Sequence, residues 1–178
     1  MALFAIIALV FTVGAKGSST PVQETIVCFG DSLTSGYSIT SPGSNDKSKA
    51  WPALLQNKVN IPVINAGKSQ ATTTADGLAR VKKDVLSHNP RIVIIEYGAN
   101  DWQQKVPMDT IKNNLQKIID MVNDGNRKIY LASFFPRFTP KEQMEFRNMY
   151  ETLASSNNIQ LVSGIFDSLK REHWAKEK

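Results

Sequence analysis

The chain has 178 residues, 42% of them hydrophobic and 21% charged, an ordinary globular composition of a length suited to one domain with one sizeable core. This excludes a disordered tail, a collagen-like repeat and a disulfide scaffold. A formal charge of +5 on scattered lysines and arginines points away from nucleic acid, the single Cys28 excludes an internal disulfide, and two histidines, His88 and His173, leave little material for a metal site.

Residues 2–15 (ALFAIIALVFTVGA) form an apolar run. It is short for a membrane span, which needs about 20 residues, and suits the apolar core of a secretory signal, with Gly14 and Ala15 before Lys16. No Lys or Arg precedes it, so a buried or interfacial helix is the competing reading, and a membrane tether is a further use for the run. Export to the periplasm or medium is the expectation. Residues 17–24 (GSSTPVQE) read as a linker, which sets residues 1–24 apart from a domain over 25–178.

Residues 25–29 (TIVCF) read as a buried parallel strand ending in Gly30, and residues 36–47 as a polar loop. Residues 50–59 have apolar groups at helical spacing, with Pro52 tolerable only in the first turn. Residues 62–65 (PVIN) form a second strand. Residues 74–86 place Leu78, Val81, Val85 and Leu86 on one helical face, and His88-Asn89-Pro90 stops that helix. Residues 91–97 (RIVIIEY) are the strongest strand. Residues 109–122 set Ile111, Leu115, Ile118, Ile119 and Val122 on one face. Residues 128–134 form a fourth strand, residues 139–154 a helix opened by Thr139 and Pro140, and residues 159–162 a fifth strand. From residue 165 on, the pattern is helical or irregular. Strand and helix alternate throughout, which predicts a three-layer α/β/α domain on a five-stranded parallel sheet.

Functional groups in such sheets gather at the carboxyl ends of the strands. After the first strand comes Gly30-Asp31-Ser32-Leu33-Thr34, where Ser32 either caps a helix or exposes its hydroxyl above the sheet edge. A phosphate loop fails there, because Gly36 lies one residue too far and Tyr37 stands where a lysine is needed. After the second strand, Gly67-Lys68-Ser69-Gln70-Ala71 is a poor match to a nucleophile elbow, but its backbone amides can donate to an anion. After the third comes Gly98-Ala99-Asn100-Asp101-Trp102, where Asn100 either makes a cap or Asx-turn or offers its amide to a developing oxyanion. A serine, a glycine-containing turn and an Asn on one rim is the layout of acyl transfer.

The blocks Phe29-Gly30-Asp31-Ser32-Leu33-Thr34-Ser35-Gly36-Tyr37 and Glu96-Tyr97-Gly98-Ala99-Asn100-Asp101 resemble the SGNH (GDSL) hydrolase family. Ala50-Trp51-Pro52-Ala53-Leu54-Leu55 and Asp76-Gly77-Leu78-Ala79-Arg80 are similar to its acyl-CoA thioesterase I, arylesterase and lysophospholipase L1 branch. The resemblance implies the flavodoxin-like SGNH fold and a serine esterase that acts on carboxylic esters or thioesters as a monomer, without metal or organic cofactor. It implies Ser32 as nucleophile. The oxyanion hole would use the N–H of Ser32, the N–H of Gln70 and the side chain of Asn100, with Gly30, Asp31, Gly67, Gly98 and Asp101 in support.

Two departures from the family pattern stand out. In the second block Gln70 replaces a glycine and Ala71 an acid, and one residue is inserted before Asp76. The family's base lies in an Asp-x-x-His-Pro block after the fifth strand. Here Asp167 and His173 are five residues apart and Trp174 follows, so His173 reads as a helix residue upstream of that block, with Asp167 and His173 as a displaced dyad the competing reading. The expectation is a C-terminally incomplete domain, short of its last helix and impaired in catalysis. The alternative is a non-catalytic pseudo-esterase that binds a carbohydrate or acyl ligand.

Overall fold

The computed structural model describes residues 24–37, 41, 43–44, 46–133 and 139–163. The N-terminal apolar run, Phe134, Asp167 and His173 lie outside them. Five strands are present: β1 (Ile26–Gly30), β2 (Val63–Gly67), β3 (Ile92–Glu96), β4 (Lys128–Ala132) and β5 (Gln160–Val162). Six α-helices are described: α1 (Ser32–Ser35), α2 (Trp51–Gln56), α3 (Thr74–Asp84), α4 (Ala99–Gln103), α5 (Met108–Val122) and α6 (Pro140–Ser156). Lys47–Lys49 and Leu86–His88 form single 3₁₀ turns.

All pairings are parallel and the strand order is β2-β1-β3-β4-β5. β1 and β3 are central and read as unbroken apolar runs because both of their faces are covered. Successive side chains alternate between the faces. Val27, Phe29, Val93, Ile95, Ile129 and Leu131 pack against α3, α5 and α6 in the larger core. Ile26, Cys28, Ile92, Ile94, Tyr130 and Ala132 pack against Trp51 and Leu55 of α2 in the smaller one. At about 1.5–3 kcal/mol for each fully buried aliphatic side chain, this burial is the main stabilising contribution. Cys28 sits in the middle of β1, opposite Asn65 on one side and Ile94 on the other, and is wholly buried.

Helix starts follow local chemistry. Thr73 and Asp76 close a capping box on α3, and Thr139 and Glu142 do the same on α6, where Pro140 sits at the first position. Several expected boundaries move: α2 ends at Gln56, α3 at Asp84 and β4 at Ala132. β2 runs on to Gly67 rather than stopping at Asn65, since it stays paired with β1 up to Gly30. Trp102 and Gln103 belong to the short helix α4 rather than to a loop.

Candidate active site

The register puts three turns side by side. Gly30, the last residue of β1, lies opposite Gly67 on one side and Glu96 on the other. The turns that follow these residues carry the sequence-predicted site.

Ser32 is the first residue of α1 and is half-buried. Of the two readings for Ser32, the cap falls instead to Asp31, whose Oδ1 accepts from the Leu33 N–H at 2.8 Å. As a first-turn residue, Ser32 has a backbone N–H with no partner inside its helix. α1 rests directly on the end of β2. A Cβ at Gly67 would come within 2.2 Å of the Ser35 nitrogen and 2.5 Å of the Thr34 carbonyl carbon, so the close approach requires glycine there.

Asn100 lies in α4, 6% exposed, and is neither a cap nor an Asx-turn; Gly98 is the cap residue, with φ of 119°. The Asn100 amide donates from Nδ2 to Asp31 Oδ2 and to the Thr72 carbonyl, each at 2.9 Å. One side chain therefore joins all three turns. Asp101 is fully buried and looks away from this contact. Its carboxylate accepts from the Thr74 N–H at 2.9 Å and the Thr74 hydroxyl at 2.5 Å, which ties α4 to the start of α3.

The turn after β2 is held from outside. The Lys68 N–H donates to the Gly30 carbonyl at 3.1 Å, the Thr72 hydroxyl to the Lys68 carbonyl at 3.1 Å, and the Gln104 side chain to the Ala71 carbonyl at 3.0 Å. Gln70 and Ala71 both take left-handed backbone, with φ of 82° and 51°. At the position where the family pattern has glycine, Gln70 takes the left-handed backbone that favours glycine, with the strain that a Cβ brings.

Two residues that sequence reasoning left without a role complete the site. Glu96 is 1% exposed and accepts from the Thr34 hydroxyl at 2.8 Å. It stands beside Asp31, paired in register with Gly30, and its Oε2 would lie 2.8 Å from a Cβ on that glycine. Burial, the largest influence, pushes Asp31 up to about 6 despite the Leu33 and Glu96 hydrogen bonds that lower it; burial and then the Asp31 charge push Glu96 well above its ordinary range. Arg80, from α3, donates to the Gly30 carbonyl at 2.6 Å, the Ala66 carbonyl at 2.9 Å, Asp84 at 2.7 Å and the Tyr97 hydroxyl, with its guanidinium over the Phe29 ring. An acid ending an apolar strand and an arginine on a buried helical face were the available signals for these two.

The match that decides the family covers residues 28–177, against the GDSL-like lipase/acylhydrolase family. The chain belongs to this family. It is 34% identical over 159 residues to the thioesterase 1/protease 1/lysophospholipase L1 of Escherichia coli K12, covering 86% of this chain and 73% of that protein. It is 30% identical over 152 residues to an arylesterase of Vibrio mimicus, covering 82% and 72%. Among solved structures, the SGNH-hydrolase family esterase AlinE4 superposes with a TM-score of 0.71 at 29% identity, covering 92% of this chain and 86% of that one. EstA of Pseudoalteromonas, in a form inhibited by monoethylphosphonate, gives 0.68 at 25% identity, covering 81% and 79%.

Membership makes the chain an ester hydrolase by family, and the geometry shows which histidine does not serve Ser32. His88 lies in the turn before β3, at the amino end of the parallel sheet, whereas Ser32 follows the carboxyl end of β1. Among the described residues, no group of three His, Cys, Asp or Glu is placed to hold a metal ion, and no helix is long and apolar enough to cross a membrane.

Proposed function

We propose that the chain is a serine esterase that hydrolyses carboxylic esters or thioesters through an acyl-serine intermediate on Ser32. The observation that carries this is the Asn100 amide bound at once to Asp31, the neighbour of Ser32, and to the turn of Gln70. It supports a reading in which a hydroxyl and three candidate donors share one rim of the sheet. Ser32 Oγ attacks the acyl carbon while a base takes its proton, and the leaving group departs with a proton as the carbonyl re-forms. The N–H groups of Ser32 and Gln70 and the Asn100 Nδ2 face the developing oxyanion. Nδ2 joins it through a three-centre bond beside its present acceptors.

His173 is read as a helix residue rather than as the base that serves Ser32. Loss of triad members costs on the order of 10⁶ in rate while oxyanion donors and binding leave roughly 10³–10⁴ over water, so kinetics tests that assignment. A fast hydrolysis of p-nitrophenyl acetate that His173→Ala abolishes would overturn that part. Short-chain or aryl esters, acyl thioesters and lysophospholipids fit the names of the relatives, and the segments 38–49, only partly among the described residues, and 102–104 are the candidates for specificity. Export, a tether through residues 2–15 and a monomeric state belong to the same reading.

The test is labelling with a fluorophosphonate. The unsubstituted chain is expected to take up the probe and Ser32→Ala to lose it. Undiminished labelling of Ser32→Ala would remove the serine from its role. A second reading, a non-catalytic binder of a carbohydrate or acyl group, is favoured by the Asn100 amide hydrogens, both of which already have internal acceptors. Saturable binding of an acyl or sugar ligand by a chain that takes up no probe would select it.

A further inference from the structure

Directly beneath Ser32 the fold buries two acids. Asp31, the cap of α1, and Glu96, the last residue of β3, are each 1% exposed, and Glu96 Oε2 would lie 2.8 Å from a Cβ on Gly30, the residue before Asp31. Two carboxylates in contact and out of water do not both ionise. The surrounding donors show how the charge divides. Asp31 accepts from the Leu33 N–H on Oδ1 and from Asn100 on Oδ2. Glu96 accepts from the Thr34 hydroxyl. With two donors on the Asp31 carboxylate against one on Glu96, the charge falls to Asp31 and the proton to Glu96.

We propose that Glu96 is a positioning residue whose carboxyl O–H donates to the Asp31 carboxylate, and that through Asp31 it fixes both the Asn100 amide and the turn that carries Ser32. The inference deepens the hydrolase reading and rests on it only for its effect on Ser32. The charged groups around the pair are Arg80 of α3 and Asp101 of α4, with the phenols of Tyr97 after β3 and Tyr150 of α6. Arg80 does not neutralise both acids, because its guanidinium is engaged by Asp84 and by two strand-end carbonyls. A shared proton leaves one negative charge, already met by three donors.

Glutamine reproduces a protonated glutamic acid in shape and donor and cannot ionise. The test compares the unsubstituted chain, Glu96→Gln and Glu96→Ala by infrared spectroscopy at neutral pH and by the side-chain amide resonances of Asn100. The expected result is a protonated-carboxyl band in the unsubstituted chain that Glu96→Gln removes. The Asn100 amide should stay in place in the Gln variant and exchange with solvent about tenfold faster in the Ala variant. Fluorophosphonate uptake should fall by about tenfold in Glu96→Ala with partial recovery in Glu96→Gln. The inference fails if the band is missing from the unsubstituted chain, or if Glu96→Gln displaces the Asn100 amide as far as Glu96→Ala does. Should Glu96→Ala not fold, the band and the Gln variant decide. Neither spectroscopic readout needs turnover, so an unreactive Ser32 would end the hydrolase reading and leave this one standing.

Discussion

The turn after β1 and the turn after β2 lie side by side and hold their shapes by different means. After β1, Asp31 caps a helical turn with its own carboxylate and is itself held by Asn100 and Glu96, all of them buried. After β2, Gln70 and Ala71 are exposed, carry left-handed backbone without being glycine, and are kept in place by bonds from Gln104 and Asn100 to the flanking carbonyls. The first turn is specified by its own residues. The second is imposed by its neighbours, and there the sequence is free to leave the family pattern at a cost in local strain.

That contrast is breakable at several points. The largest effect is expected for Asp31→Ala, which removes the cap of α1 and leaves the Asn100 amide and Glu96 without their acceptor. A loss of about 3 kcal/mol is expected in urea unfolding. Gly67→Ala forces a Cβ against the backbone of α1 and should cost about 1–3 kcal/mol, with Ser32 labelling slowed as the helix shifts.

Acid titration separates the turns next. The folded chain holds the Asp31 proton up to about 6, whereas the ordinary value is 3.8, so the folded state binds the extra proton between them and stability falls as pH rises through that window. The fall should be on the order of 2 kcal/mol. Asp46, Asp76, Asp124 and Glu142, held low by hydrogen bonds to their own turns and, for Glu142, first by Trp102, act in the opposite sense and only at more acid pH. A melting temperature flat from pH 4 to 6 would contradict the buried pair. Gln70→Gly should add about 1 kcal/mol by relieving the left-handed backbone, and an equal loss would show that the Gln70 side chain holds the turn. Ser69→Ala, which removes a 3.3 Å contact with the Ser35 hydroxyl, should stay within about 0.5 kcal/mol of the unsubstituted chain.

Period and punctuation made the sheet legible. Every strand and long helix lies where alternation, apolar spacing and Pro or Thr caps put it, and Ile111, Leu115, Ile118, Ile119 and Val122 are all buried on the face expected of them. The ends of elements were less legible. Ala66 and Gly67 have little intrinsic preference for a strand, and only the pairing with Phe29 and Gly30 makes them one. At the site, the blocks carrying Ser32 and Asn100 could be read, and so could the position of Gln70. What could not be read was that Asp31 rather than Ser32 is the cap, or that Glu96 meets Asp31. The first is a local choice between two neighbouring capping residues, and the second depends on the β1–β3 register, which no local pattern encodes.

The thiol of Cys28 stands at the centre of the sheet with strands paired on both flanks. Burial pushes it well above its ordinary range, so it is neither a nucleophile nor a target for oxidants while the fold is closed. With no second cysteine in the chain, it has no intramolecular partner to scramble with. An alkylating reagent therefore meets this sulfur only when β1 comes away from its neighbours. The rate of its modification is a built-in clock for the opening of the whole sheet, one that local breathing of either turn above it leaves unstarted.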